Sequence, residues 1–195
     1  MPKLIIVAGP NGSGKTSVTT KILKHEWIEG CIYINPDNIA KDTFGDWNVA
    51  ENILKAAKLA ANMREECLRN KESLIFETVL SAPDKIDYIQ RAKTTGFFIR
   101  LFFVGTDSPA INAGRIAHRV MDGGHDVPIT KIISRYSKSI ANCCIASTIA
   151  DRAYIYDNSV DFADPKLLFR VKNDHPEKIY REVNPWAQEI LKRLV

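Results

Sequence analysis

Residues 9–16 read GPNGSGKT, a complete G-x-x-x-x-G-K-[ST] phosphate loop, and no other feature constrains this chain as much. Glycines in that pattern let backbone N–H groups turn inward around phosphate oxygens. The lysine reaches the β- and γ-phosphates, and the hydroxyl after it holds Mg²⁺. The N-terminus of the following helix adds positive dipole at the same place. Gly9, Asn11, Gly12, Ser13, Gly14, Lys15 and Thr16 are therefore the expected nucleotide-binding residues, with Thr16 as the metal ligand. The context agrees. Lys3–Ala8 (KLIIVA) is an apolar, β-branched run of strand length, and residues 17–24 place Val18, Ile22 and Leu23 on one side of a helix. Strand, glycine loop and helix in that order are what such a loop requires.

The remainder alternates strand and helix signals. Strands are expected at 31–34, 73–76 running out at Glu77-Thr78, 97–104, 153–156 and 167–171. Asn35-Pro36-Asp37 reads as a loop, and Asn48 with Glu51 resembles a capping box. Ile53, Leu54, Ala57, Ala60, Ala61, Cys67 and Leu68 follow helical spacing after it. Further helices are expected from Pro83 to Gly96, from Pro109 to Gly123-Gly124, from Pro128 to about Ala146, and over 186–194. This pattern predicts a three-layer α/β/α fold: one domain over 1–195, a mainly parallel, doubly wound sheet of five to six strands, and a small helical lid. Ligands in such sheets sit beyond the strand C-terminal ends. That rule gathers the phosphate loop, Asp37, Glu77-Thr78 and Gly105–Asp107 along one edge.

Composition narrows the function classes. The chain has 195 residues and a net charge of +4, compatible with an anionic substrate and too small by itself to argue for nucleic acid. No apolar run reaches membrane-spanning length, and the chain enters a strand at once, so a cytoplasmic protein is expected. Cys31, Cys67, Cys143 and Cys144 have no metal-ligand spacing and read as reduced thiols, the last two packed on or beside a helix.

Other residues suit phosphoryl transfer. Asp37, just past a strand, is either a general base beside the γ-phosphate or the cap of a helix starting near Asn38. Glu77 and Thr78 end an apolar strand, where a carboxylate needs a partner: metal, substrate, a helix dipole or a lysine. Arg115 and Arg119 share a helix face, with Ile111, Ile116 and Val120 on another. They form either a phosphate clamp or a solvated basic face, and the same choice holds for Lys131, Arg135 and Lys138. The paired glycines at 123–124 permit a hinge beside His125, which either contacts phosphate or bonds water.

Taken together, these segments resemble the zeta-toxin-like family of P-loop kinases. GPNGSGKT at 9–16, INPD at 34–37, FETVLS at 76–81, FVGTDSP at 103–109, RVMDGGHDVP at 119–128 and DRAYIYDNS at 151–159 carry the resemblance, which runs from Lys3 to about Asn158. It is strongest to a compact stand-alone branch described as UDP-N-acetylglucosamine kinase-like or as a predicted ATPase. The resemblance implies an ATP-dependent kinase whose best-known members phosphorylate the 3′-hydroxyl of the amino sugar in UDP-N-acetylglucosamine. It implies ATP and Mg²⁺ on Lys15 and Thr16, and Asp37 as the catalytic aspartate. Glu77 and Thr78 become a substrate element, and Arg119 the first of two clamp arginines. A separate antitoxin protein becomes a possible partner.

The chain departs from the toxins where the second clamp arginine is expected. That place falls near His125, so either His125 or Arg135 supplies the contact, and the lid between is shorter. The acceptor is therefore UDP-N-acetylglucosamine, another nucleotide, or a dinucleotide. A partner-dependent ATPase switch is disfavoured, because neither an LSGGQ-type signature nor an N-K-x-D motif is present. Nucleic-acid binding lacks an aromatic-basic platform.

Overall fold

Every residue from Leu4 to Ala8 is fully buried, because β1 (Lys3–Ala8) lies inside a sheet covered on both faces. The computed structural model describes residues 1–45, 49–124 and 126–194. The other strands are β2 (Ile32–Ile34), β3 (Leu74–Thr78), β4 (Phe98–Gly105), β5 (Arg152–Asp157), β6 (Lys166–Lys172) and β7 (His175–Ile179). They lie in the order β2-β3-β1-β4-β5-β6-β7. The first five in that order are mutually parallel, and β6 and β7 add on antiparallel. The helices are α1 (Lys15–Ile22), α2 (Pro36–Phe44), α3 (Ala50–Asn70), α4 (Pro83–Thr94), α5 (Pro109–Met121), α6 (Ile129–Ile149) and α7 (Pro185–Lys192).

Alternation along the strands divides the core. Leu4, Ile6, Ala8, Phe76 and Phe103 face one side, where Leu68 of α3, Ile89 of α4, Cys143 of α6 and Ile190 of α7 pack on them. Ile5, Val7, Ile75, Phe102 and Val104 face the other, under Val18 and Ile22 of α1. Helices on both faces make the expected doubly wound α/β architecture. The tips of α5 and α6 carry a small cluster of their own, Ile116, Val127 and Ile132.

The structure revises several local expectations. Asn35-Pro36-Asp37 is no loop but the start of α2. The Asn35 side chain accepts from the Asp37 N–H at 2.9 Å, and Pro36 occupies the first turn, where its missing donor costs nothing. The seventh strand, β7, is charged and mostly exposed at the sheet edge, so no apolar run betrays it. Its hairpin turns on Asn173 and Asp174, both at positive φ (48° and 64°), a conformation Asn and Asp tolerate. On α3 the buried stripe is Ala56, Ala60, Arg64, Cys67 and Leu68, whereas Leu54 is exposed. Val120 of α5 is exposed as well, since that end of the helix runs beyond the sheet. Asn48 of the expected capping box lies outside the described residues. Among the described residues the four cysteines are unpaired, Cys143 and Cys144 being buried on α6. No described helix is long and apolar enough to cross a membrane.

Candidate active site

The turn from β1 into α1 needs its glycines for space as well as conformation. Gly12 has φ +74°, and a Cβ there would stand 2.6 Å from the Asn112 carbonyl oxygen. Gly14 has φ +86°, and a Cβ would strike the Asn158 amide. Those two asparagines tie the loop down. Asn112 of α5 donates to the Asn11 carbonyl at 2.6 Å, and Asn158, just past β5, donates to the Ser13 carbonyl at 2.9 Å. Asn112 is itself held by the Thr106 hydroxyl, and Tyr136 of α6 donates to the Thr106 carbonyl at 2.6 Å. These bonds hold the Asn11 and Ser13 carbonyls and fix the course of the loop between β1 and α1.

Lys15 folds back over the loop and donates to the carbonyls of Gly9 (2.9 Å) and Pro10 (3.0 Å). Burial pulls its ammonium down to about 8. Arg119 pushes the same way, while Glu77 and Asp37 pull it back up. The buried Ser13 hydroxyl has no hydrogen-bond partner. A bent-back lysine and a cradle too tight for side chains together fit a bound polyphosphate.

Beyond the loop opens a cavity of about 660 Å³, within the range of small-molecule sites. Asn11, Gly12, Gly14, Lys15 and Thr16 line one part of it, and Asp37, Arg64, Glu77, Thr78, Arg119 and Arg135 are among the residues that line the rest. The structure thus brings most of the sequence candidates to one place, from the C-terminal ends of β1, β2 and β3 and from the arm of α5 and α6. Ser13 and Gly9 sit behind the loop. Gly105–Asp107 do not join the cavity wall. Gly105 is capped by Trp186 of α7, and Asp107 accepts from Asn184 at 2.7 Å, so that segment anchors the C-terminal helix. His125 lies outside the described residues. Lys131 and Lys138 are exposed on α6, away from the lining.

Local partners set the carboxylates apart. Asn35 performs the capping of α2, so Asp37 does not serve as the cap and presents its carboxylate at the cavity. Glu77 is fixed through one oxygen. Oε1 accepts from the Tyr33 hydroxyl at 2.7 Å and from the Asn35 amide at 3.2 Å. Burial drives the Tyr33 phenol far above its usual range, so it stays a donor. Thr78 turns inward to its own loop. Its hydroxyl accepts from the Leu80 N–H at 3.0 Å, while its carbonyl accepts from the Gly9 N–H. Leu80 is buried at φ +58°, an unfavourable conformation for a branched residue, and α6 clamps it there. Ser139 donates to the Val79 carbonyl (2.6 Å) and Asn142 to the Leu80 carbonyl (2.8 Å).

The arginines divide similarly. Arg115 also lines the cavity; its Nε is paired with Asp161 at 2.7 Å, and its buried Nη1 has no hydrogen-bond partner. Arg135 reaches the Asn11 side chain at 3.3 Å, against the phosphate loop. Arg119 lines the cavity close enough to shift Lys15. Sequence reasoning missed Asn112, Asn158, Tyr33 and Arg64, the last a cavity residue on α3. The asparagines act over 101 and 145 residues of chain, which no local pattern reveals. Arg64 did leave a signal: a charge standing on the apolar stripe of its helix.

Comparison with known proteins agrees with this fold. A protein of Haemophilus influenzae described as uncharacterized is 28% identical over 134 residues, 69% of this chain and 92% of its own. Among solved structures, a chain from the PezAT chromosomal toxin–antitoxin system of Streptococcus pneumoniae superposes with a TM-score of 0.63 at 16% identity, covering 100% of this chain and 78% of that one. A chain of the AvrRxo1-ORF1:ORF2 complex with ATP gives a TM-score of 0.69 at 19% identity, over 100% of this chain and 64% of that one. These two share the fold. The zeta toxin family model matches residues 1–164, a span that begins before β1 and takes in the phosphate loop, α2, β3 and the α5–α6 arm. By that match, the chain belongs to the zeta toxin family.

Proposed function

We propose that the protein is a kinase that moves the γ-phosphoryl group of ATP to a hydroxyl of a nucleotide-sugar-type acceptor, UDP-N-acetylglucosamine foremost. The observation that carries this reading is the convergence on one cavity of the Lys15 phosphate loop, the uncapped carboxylate of Asp37 and the guanidinium groups of Arg119 and Arg135. When bound, Mg-ATP supplies the phosphoryl group and ADP as the leaving group. The loop amides and Lys15 hold its phosphates. The Thr16 hydroxyl would hold Mg²⁺, and the remaining oxygen of Glu77, in the position that Tyr33 and Asn35 give it, would meet the acceptor or, through water, the metal. Asp37 orients the acceptor hydroxyl and takes its proton as the new O–P bond forms. Lys15, Arg119 and Arg135 offset the charge that spreads over the transferred group. His125, outside the described residues, is a further candidate for contact with the substrate.

Family membership and the toxin–antitoxin system of the pneumococcal neighbour support a separate antitoxin as a partner of this chain too. The deciding experiment is mass-resolved transfer from Mg-ATP, with UDP-N-acetylglucosamine in a panel of nucleotide sugars, nucleosides and dinucleotides and Lys15→Ala as the blank. One acceptor gaining a single HPO₃ unit establishes the activity and names the substrate. ATP binding with no acceptor modified overturns the acceptor class.

A further inference from the structure

Arg64 lines the cavity and has no part in the chemistry above. It projects from the buried stripe of α3 and is only 8% exposed. A buried cation normally holds a carboxylate. Here the nearby acids are committed elsewhere. Glu65 is gripped by both terminal nitrogens of Arg91, at 2.9 and 2.7 Å, and Asp84 is paired with Lys85. Among the described residues the Arg64 guanidinium has a single partner, the face of Phe76, with 5.2 Å from its central carbon to the ring centroid. Its backbone carbonyl accepts from the Tyr88 hydroxyl at 2.8 Å, which fixes this turn of α3 over β3. Burial pulls the guanidinium down, against the charges of Tyr88, Asp84 and Glu65, yet an arginine keeps its proton across the physiological range.

Position gives this charge its meaning. Arg119 and Arg135 enter the cavity from α5 and α6, beside the phosphate loop. Arg64 enters from α3, which packs on α2 and β2 at the opposite end of the sheet. Asp37 opens α2 and Glu77 ends β3, on the Arg64 side of β1. A molecule that offers a hydroxyl to Asp37 therefore extends toward Arg64 rather than toward the α5–α6 arginines. Contact with the Phe76 ring restrains the guanidinium, and its planar fork matches two oxygens of a phosphate or carboxylate.

We propose that Arg64 is a recognition site for an anionic group, a phosphate, diphosphate or carboxylate, carried by the phosphoryl acceptor. The acceptor is then an anionic hydroxyl compound, and neutral sugars and nucleosides are discriminated against because they leave a buried cation unpaired. This inference rests on the kinase reading for what the anion belongs to, but the anion site itself can be tested without it.

Inorganic pyrophosphate serves as the probe, titrated by calorimetry into Lys15→Ala protein, whose phosphate loop has lost its point charge. Pyrophosphate binding should persist there, fall at least tenfold in the Lys15→Ala/Arg64→Met protein and be largely retained in Lys15→Ala/Arg64→Lys. Circular dichroism and the thermal midpoint establish that each variant is folded. If Arg64→Met itself unfolds, the comparison passes to Arg64→Gln, which keeps the side-chain length without the charge. No pyrophosphate binding to the Lys15→Ala protein, or binding indifferent to Arg64, overturns the proposal. A separate titration of a non-hydrolysable Mg-ATP analogue into wild type and Arg64→Met reads the kinase proposal. Equal affinity for both is expected, and no binding to wild type sinks the kinase reading alone. With an acceptor in hand, Arg64→Met should raise KM for the anionic form at least tenfold and leave KM for ATP unchanged. Equal losses with a neutral counterpart would mark Arg64 as a packing residue.

Discussion

Asp37 and Lys15 show how much one side chain's surroundings decide. Asp37 is freed for chemistry because its neighbour Asn35 takes the capping role. Asp37→Asn should therefore keep nucleotide affinity while turnover falls by about 10²–10⁴, the usual contribution of a positioned base. Calorimetry and initial rates on the same preparation check the split, and survival of both would make Asp37 a bystander. Lys15 carries a pH signature. Its ammonium is held down to about 8 when the loop is empty, and phosphate oxygens favour the charged form, so binding raises it. Between pH 8 and about 10, nucleotide binding should take up a proton, and affinity should fall as pH rises through that window. At pH 6.5 no uptake is expected, since Lys15 is already protonated. Calorimetry in buffers of unlike ionisation enthalpy measures the proton count, and Lys15→Ala should abolish it.

Among the elements, the starts of α2 and α5 carry the most consequence. The Asn35 amide caps α2 through its oxygen and holds Tyr33 and Glu77 through its nitrogen. Asn35→Ala should lower stability by about 1 kcal/mol, as for other lost caps. It should also weaken Mg²⁺ dependence of turnover by loosening Glu77. Lys41→Ala, on an exposed face of the same helix, should do neither. Asn112 joins α5 to the phosphate loop. Asn112→Ala removes the partner of the part-buried Asn11 carbonyl and leaves the buried Thr106 hydroxyl only its long bond to the Ser108 carbonyl (3.4 Å), at up to about 1–3 kcal/mol for each group left unsatisfied. A urea midpoint lowered together with weaker nucleotide binding is the expected pair of results. Unchanged nucleotide affinity would show that the loop holds its shape unaided.

At the scale of the whole molecule, the cavity collects side chains from β3, α2, α3, α5 and α6 around a loop that the sheet holds rigid. Filling it should stabilise the fold by mass action, by about 2.7 kcal/mol at a hundredfold excess of ligand over Kd. For a chain of this length that corresponds to a midpoint rise of roughly 5–10 °C. Thermal unfolding with and without a non-hydrolysable Mg-ATP analogue tests it, and Lys15→Ala should show little rise.

Sequence alone determined the fold class and much of the cavity, because both rest on local patterns. Apolar runs with helical stretches between them specify a covered parallel sheet, and GPNGSGKT specifies its loop within eight consecutive residues. Asp37, Glu77 and Thr78 were legible because strand ends deliver their residues to one edge. The edge strand β7 was not, since an exposed, charged strand carries no burial signal. A helix near Asn38 was only one of two readings, since Asn35-Pro36 suits a loop and a helix start equally, and its cap was assigned to Asp37 rather than Asn35. Only the tertiary structure decided which polar groups meet. Asn112 and Asn158 reach the phosphate loop from distant helix and strand ends, Asn35 rather than Asp37 becomes the cap, and Arg64 faces the cavity with its acidic neighbours already taken. Such pairings depend on distances between elements far apart in the chain, and distance is the quantity that spacing along a sequence does not encode.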